Sequence, residues 1–301
     1  MGFDQEPFVD LHIHSTASDG SLTPFEIMDA AEKAGLSAIS ITDHDSVDGC
    51  RDLLHISFPL PLDFMTGVEI SAAAPAGMFG GSLHILGYDF DVDDAALNQR
   101  LAEQEEARNN RSPKIIHRLN QLGIPLTLEE VQLFAQGSQI GRPHIARAMV
   151  KHDIVPSIEE AFDRYIGRDG PAYVDKARLP CDQAMALIRE AGGVPVLAHP
   201  GLIPVKDAAE LDDLVKFLTD RGLQGIEVFY PGHTAEQVEE YRQLAARHDL
   251  LMTGGSDFHG ALNPHIRLGK GTGSLFVSYT LYEQLLACPR DTARSRPEIV
   301  S

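Results

Sequence analysis

An α/β barrel carrying one small helical insert is the fold this sequence predicts. Three observations carry the prediction. Seven short apolar segments read as buried strands. Helical patterns separate most of them, and repeated strand–helix alternation means a parallel sheet, closed or nearly closed. The alternation breaks once, over residues 98–167, where only helices are legible. At 301 residues and 43% hydrophobic content, the chain can bury one large core and a smaller one.

The strands are expected at residues 8–14, 38–42, 62–70, 83–88, 194–198, 225–229 and 250–253. Thr23-Pro-Phe-Glu26 is a capping box with Pro at the first helical position, and it opens a helix that stops at Gly35. Residues 181–192 and 211–222 have helical apolar spacing and end at Gly. Thr234-Ala-Glu-Gln237 opens another helix, running to about His248. Within the break, residues 99–122 form a long helical pattern ending before Gly123. Boxes at Thr127 and Ser157 start two further helices, with a third over 141–152. The expected organisation is therefore a barrel of residues 1–97 and 168–288, a helical insert of 98–167, and a flexible tail of 289–301. An open doubly wound sheet is the alternative, but no G-x-G-x-x-G or P-loop is present.

Composition narrows the function. Lys and Arg number 25 against 44 Asp and Glu, a net charge of −19, which argues against duplex DNA as a partner. There is no apolar run of membrane-spanning length and no apolar signal region, and the three cysteines are scattered, so a reducing cytoplasm is expected. The insert alone is neutral, with nine basic and nine acidic residues. Its Arg108, Arg111, Lys114 and Arg118 recur at helical spacing and are read as one face. Such a face is usually only solvated. In the least acidic part of an acidic chain it points to an anion contact.

The chemistry gathers at strand ends. Side chains of a strand alternate, so His12 and His14 share a face, and Asp19 follows in a Gly-bearing turn. The remaining segments bring Asp43, His44 and Asp45, then Glu69, His84, His199, Asp257 and His259. In a parallel barrel the carboxyl ends of the strands form one mouth, so these residues are expected to converge. Each alone reads as a cap, a turn residue or a satisfied histidine. Together they would crowd charge that only metal could balance. Imidazole and carboxylate donors without thiolate suit Mn, Fe, Zn or Co. A water on such a metal has its pKa lowered to about 7, so metal-bound hydroxide is the expected nucleophile for attack on a phosphoester.

His12-x-His14, Asp19, Thr42-Asp-His44, Gly67-x-Glu69, His84, Ala-His199-Pro and Ser-Asp257-x-His259 together resemble the motif set of the PHP (polymerase and histidinol phosphatase) family. The resemblance implies a distorted (β/α)7 barrel with three divalent metals, most readily manganese. It assigns His12, His14, Glu69 and Asp257 to one metal, and Glu69, His84 and His199 to a second. Asp19, His44 and His259 fall to the third. The insert, with Arg-Asn-Asn-Arg at 108–111 and Gly-Arg-Pro-His at 141–144, resembles the branch containing nucleoside 3′,5′-bisphosphate phosphatases and the RNase AM type of 5′-to-3′ exoribonuclease. That branch implies removal of the 3′-phosphate of a nucleotide bisphosphate, or trimming of short single-stranded RNA. Arg108, Asn109, Asn110, Arg111, Lys114, Arg142 and His144 would then hold the second phosphate and the nucleoside. His233 is the candidate general acid, and Asp10 and Asp43 are candidate partners for the ligand histidines. The rivals are a histidinol-phosphate phosphatase, a PHP module associated with a polymerase, and a non-catalytic metal-dependent binding module.

Overall fold

The computed structural model of the chain describes residues 6–54, 62–78, 81–135 and 139–289. Apart from Pro289, the tail expected at 289–301 lies outside them. In chain order the elements are β1 (Val9–Ile13), α1 (Pro24–Ala34), β2 (Ala38–Ile41), α2 (Asp48–Leu54), β3 (Asp63–Ala73) and β4 (Ser82–Tyr88). The helical region follows with α3 (Ala95–Gln121), α4 (Leu128–Gln132), α5 (Arg142–Lys151), α6 (Ile158–Ala161) and a π-helical turn, Phe162–Ile166. The chain then returns through β5 (Leu179–Pro180), α7 (Cys181–Glu190), β6 (Val194–Leu197), α8 (Ala208–Thr219) and β7 (Gly225–Phe229). It finishes with α9 (Ala235–Arg247), β8 (Leu251–Gly254) and α10 (Tyr279–Ala287), with short 3-10 turns at Pro200–Leu202 and Gly260–Leu262.

The sheet runs β1-β2-β3-β4-β6-β7-β8, with the two-residue β5 beside β3. The α/β prediction holds, but the sheet is not all parallel. β4 runs antiparallel to both β3 and β6. The reason lies in the connection. Only residues 74–81 separate β3 from β4, too few for the crossover that a parallel pair requires. Consequently the amino end of β4, not its carboxyl end, lies at the mouth.

β1 and β8 form no ladder, yet the curled sheet is drawn together at the mouth. Ile13 and Phe258 make a parallel bridge. The Asp257 amide donates to the His12 carbonyl (2.8 Å), and the His14 amide to the Phe258 carbonyl (2.9 Å). Gly255 permits this approach, since a Cβ there would lie 2.3 Å from the His12 nitrogen. Asp10, expected beside a histidine ring, instead fastens the same seam. It accepts from the Ser256 hydroxyl (2.5 Å) and from the amides of Ser256 (2.8 Å) and Gly269 (2.7 Å).

Three buried clusters hold the molecule. The largest packs Ile13, Ile39, Ile41, Val68 and Ile70 against the surrounding helices. The second lies inside the sheet, where Leu281, Tyr282 and Leu285 of α10 meet Val9, Leu11, Leu86, Tyr88 and Val196. The third, from Ile115 to Ala172, is built by the helical region and the segment that follows it. α3 serves two of them: Leu97 and Leu101 belong to the barrel core, Ile115 and Leu119 to the helical one. It therefore spans both clusters and carries the residues between, 102–114, past the mouth.

Gly255→Ala is expected to cost about 1–3 kcal/mol, because the backbone seam must open to admit a methyl group. Differential scanning calorimetry of the variant against the parent chain checks this as a fall in Tm.

Candidate metal centre

Glu69, near the middle of β3 and 1% exposed, is the hub of the mouth. Five imidazoles surround its carboxylate. Its Oε1 lies 2.6 Å from His84 Nδ1 and 2.9 Å from His199 Nε2. Its Oε2 lies 2.8 Å from His44 Nδ1, 3.3 Å from His14 Nε2 and 3.6 Å from His12 Nε2. Asp257 Oδ1 joins the first strand's pair at 3.1 Å from His14 Nε2 and 3.4 Å from His12 Nε2. Asp19 Oδ1 lies 3.4 Å from His259 Nε2 and 3.8 Å from His14 Nδ1. All nine side chains expected as ligands thus share one site. His44 links two parts of it, since its Nε2 is 4.0 Å from Asp19 Oδ2.

Each side chain arrives there for a local reason. His84 is close to the first residue of β4, and the antiparallel run brings that end to the mouth. His44 is held to β3 by paired backbone bonds, Glu69 amide to Asp43 carbonyl and Asp45 amide to Glu69 carbonyl. His199 and Asp257 adopt positive φ, 27° and 54°. Non-glycine residues in such conformations persist where the surroundings over-determine them, characteristically at functional sites.

The donor set fits divalent cations. Three overlapping groups, His14/Asp19/His44/His259, His12/His14/Asp257 and His44/Glu69/His84, each have donor atoms within 4.8 Å of one another. His12 Nε2, His14 Nε2, His44 Nδ1, Asp19 Oδ1 and Glu69 Oε2 are buried with no hydrogen-bond partner. They approach one another at ion-pair distance without donor–acceptor alignment, as atoms do that converge on a shared point. Burial alone would raise the carboxyls of Glu69, Asp19 and Asp257, but the neighbouring imidazoles outweigh it and hold all three well below the usual carboxylate range. Ionised carboxylates and imidazoles without thiolate are the ligands of borderline metals.

The supporting residues differ from those expected. Glu227, fully buried on β7, accepts from His12 Nδ1 (2.9 Å) through one oxygen and from the His199 amide (2.7 Å) through the other. It orients the His12 ring so that Nε2 faces the centre. Sequence reading passed it over, although a carboxylate inside the apolar run Gly225-Ile-Glu-Val-Phe229 was the available signal. Asp43 reaches His14 only indirectly: it accepts from Ser18 Oγ (2.6 Å), which lies 3.5 Å from His14 Nδ1. His233, the candidate acid, is turned to backbone groups. Its Nδ1 donates to the Val228 carbonyl (2.9 Å) and its Nε2 accepts from the Gly201 amide (3.3 Å), so both nitrogens clip backbone. Tyr230, also unforeseen, donates to Asp257 Oδ2 (3.2 Å).

Beside the hub opens a cavity of about 200 Å³. Its metal-side wall includes Asp19, His44 and His84, and its far wall includes Arg108, Arg111, Arg142, Lys176 and Arg178. Arg108 and Lys176 share Asp45 Oδ2, at 2.7 and 2.8 Å. Burial would raise the Asp45 carboxyl, but Lys176 and Arg108 together hold it well below the usual range. Arg178 pairs with Asp175 (2.5 Å). Among the described residues Arg111 has no carboxylate partner. It is 5% exposed, its Nε makes no hydrogen bond, and burial, with Arg142, Arg108 and Arg178 beside it, pushes it down to about 9. Arg142 lies over the rings of Phe162 (5.2 Å) and Tyr173 (5.8 Å).

Several expected substrate contacts are placed otherwise. Asn109 accepts from the Ile140 amide (3.2 Å) and so holds the approach to α5, and Asn110 is exposed away from the cavity lining. His144 is buried, its Nδ1 accepting from the Gly141 amide (3.1 Å) at the start of α5. Lys114 and Arg118 are exposed and line a different cavity further along the helix, so the basic residues of α3 divide between two cavities. Lys176 and Arg178 were missed because they follow the insert in sequence and meet it only in the fold.

Comparison with known proteins matches the PHP domain to residues 10–267. The 5′-3′ exoribonuclease Rnm of Escherichia coli is 34% identical over 264 residues, covering 87% of this chain and 88% of that one. The 3′,5′-nucleoside bisphosphate phosphatase of Chromobacterium violaceum is 30% identical, covering 83% and 87%. Among solved structures, an amidohydrolase from Chromobacterium violaceum with bound sulfate and no metal superposes with a TM-score of 0.82 at 28% identity, covering 95% and 98%.

Glu227→Gln is expected to lower metal affinity about 10- to 100-fold while the chain stays folded, as loss of a ligand's orienting partner does. Titration calorimetry with manganese, beside circular dichroism, measures both.

Proposed function

The chain belongs to the PHP domain family and is a metal-dependent phosphoesterase, and we propose that its substrate is a nucleoside 3′,5′-bisphosphate, hydrolysed at the 3′-phosphate to leave the 5′-nucleotide. The observation that carries this reading is Arg111, a buried guanidinium without a carboxylate, facing the same small cavity as the Glu69 cluster. An unpaired buried cation is costly until an anion meets it. A substrate with two phosphates a ribose apart can satisfy both walls at once.

Three divalent ions would be held by His12, His14, Glu69 and Asp257; by Glu69, His84 and His199; and by Asp19, His44 and His259. Bound there, they supply a water acidic enough to attack phosphorus at neutral pH and positive charge against the phosphoryl oxygens. The protein's own part is positional. Glu227 and Tyr230 fix His12 and Asp257. Arg111 and Arg142 receive the 5′-phosphate, with Arg178 alongside, while Asp45 steadies Arg108 and Lys176 between the two ends. Phe162 and Pro143 give the ribose and base an apolar wall.

The relatives named as exoribonucleases favour a second reading on the same site. A 5′-terminal nucleotide of RNA also carries a 5′-phosphate and a phosphate on its 3′-oxygen, so the cleft that accepts a bisphosphate can release nucleotides from an RNA 5′ end. A histidinol phosphate, with its ammonium group, would face Arg111 and Arg142, which have no carboxylate partner among the described residues, and is disfavoured by repulsion.

The manganese-loaded protein is expected to turn over adenosine 3′,5′-bisphosphate and a 5′-phosphorylated RNA oligomer far better than histidinol phosphate. Preference for histidinol phosphate would sink the reading. Arg111→Met should raise KM for the bisphosphate about 10- to 100-fold, the range for a lost charged hydrogen bond, and leave adenosine 3′-phosphate nearly unaffected. Steady-state kinetics with the two substrates separates those outcomes.

A further inference from the structure

Lys114, His117 and Arg118 belong to no part of the cleft. With Pro113, Gln121 and Val174 they line an open groove of about 410 Å³ on the outer side of α3. We propose that this groove is a second anion site, holding backbone phosphates of an RNA chain whose 5′-terminal nucleotide occupies the cleft. The inference rests on the exoribonuclease reading of the catalytic site and adds a surface to it.

Two independent observations support the groove. First, its charge is uncompensated. Many exposed basic residues elsewhere on this acidic protein sit on carboxylates, among them Lys33 on Asp29, Arg100 on Glu103, Arg164 on Glu160, Lys216 on Asp220 and Arg247 on Asp212, while Lys151, Arg221, Arg242 and Arg267 stand singly without such a pair among the described residues. Among the described residues none pairs with Lys114, His117 or Arg118. Arg118 donates to the Tyr173 carbonyl, and His117 meets only the Gln121 side chain (3.1 Å). From residue 107 to residue 128 the sequence contains no Asp or Glu, in a chain of net charge −19.

Second, the groove adjoins the cleft while remaining separate from it. Tyr173 stands between the two, its ring near Arg142 on the cleft side and its carbonyl taken by Arg118 on the groove side. Lys114 and Arg118 follow Arg111 by three and seven residues, about 5 and 10 Å further along the helix axis. A mononucleotide seated at Arg111 does not reach them. A flexible single strand leaving the mouth can turn back across the insert, and a basic groove that tracks its phosphates is how such strands are held without reading sequence.

The test compares the manganese-loaded parent with Lys114→Glu/Arg118→Gln, and with Lys114→Glu/His117→Gln, which keeps the Tyr173 contact. For a 5′-phosphorylated ten-nucleotide RNA, KM should rise about tenfold or more in both variants. For adenosine 3′,5′-bisphosphate it should stay within twofold, and Lys114→Arg should match the parent. The salt dependence of RNA binding should lose about one unit of log–log slope. Fluorescence anisotropy with a ten-nucleotide RNA carrying a phosphorothioate at its first linkage reads the groove directly, whatever the turnover. Unchanged RNA affinity in both variants, no RNA binding by the parent, or equal losses on RNA and bisphosphate would each overturn the groove. Failure of the parent to hydrolyse the bisphosphate would count against the proposed substrate alone.

Discussion

The structure depends on one carboxylate. Glu69 is buried among five imidazoles contributed by four other segments of the chain, and no hydrophobic contact could replace what it does there. A carboxylate at that depth is costly unless positive charge surrounds it. The fold therefore has to deliver β1, the His44 loop, β4 and the His199 turn to a single point. The positive φ of His199 and Asp257 and the close passage of Gly255 against β1 are the local distortions that this convergence demands.

The reversed strand is part of the same constraint. Were β4 parallel to its neighbours, His84 would sit at the closed end of the barrel, where α10 fills the interior. The short connection after β3 turns the strand around and places His84 beside Glu69 instead. A break in the regular alternation thus brings His84 to the Glu69 cluster and sends the chain away from the mouth along β4, so that α3 starts from the far end of the barrel.

Electrostatics divide the molecule by position and not by total charge. The acidic excess lies elsewhere, while the cleft wall made by α3, α5 and the returning segment is basic. Asp45 compensates two of those cations and leaves Arg111 uncompensated. Neutralisation on the barrel side and an unpaired guanidinium on the far side give the cavity an electrostatic direction, from the Glu69 cluster toward Arg111. The overall charge conceals this local reversal.

The sequence by itself determined which His, Asp and Glu stand at the strand ends, and the fold brings those nine side chains to one site. It also determined the strand–helix alternation, the capping boxes at Thr23, Thr127 and Thr234, and the helical character of the insert, since these rest on short-range spacing. Tertiary structure alone decided the polarity of β4, the role of Glu227, the engagement of both His233 nitrogens by backbone and of Asp10 by the Ser256–Gly269 seam, and the division of α3 into a covered Arg108–Arg111 stretch and an exposed Lys114–Arg118 stretch. The reason is common to all of them. Each depends on what packs against a residue from far along the chain, and helical or strand periodicity records only which residues share a neighbourhood, not which neighbour arrives.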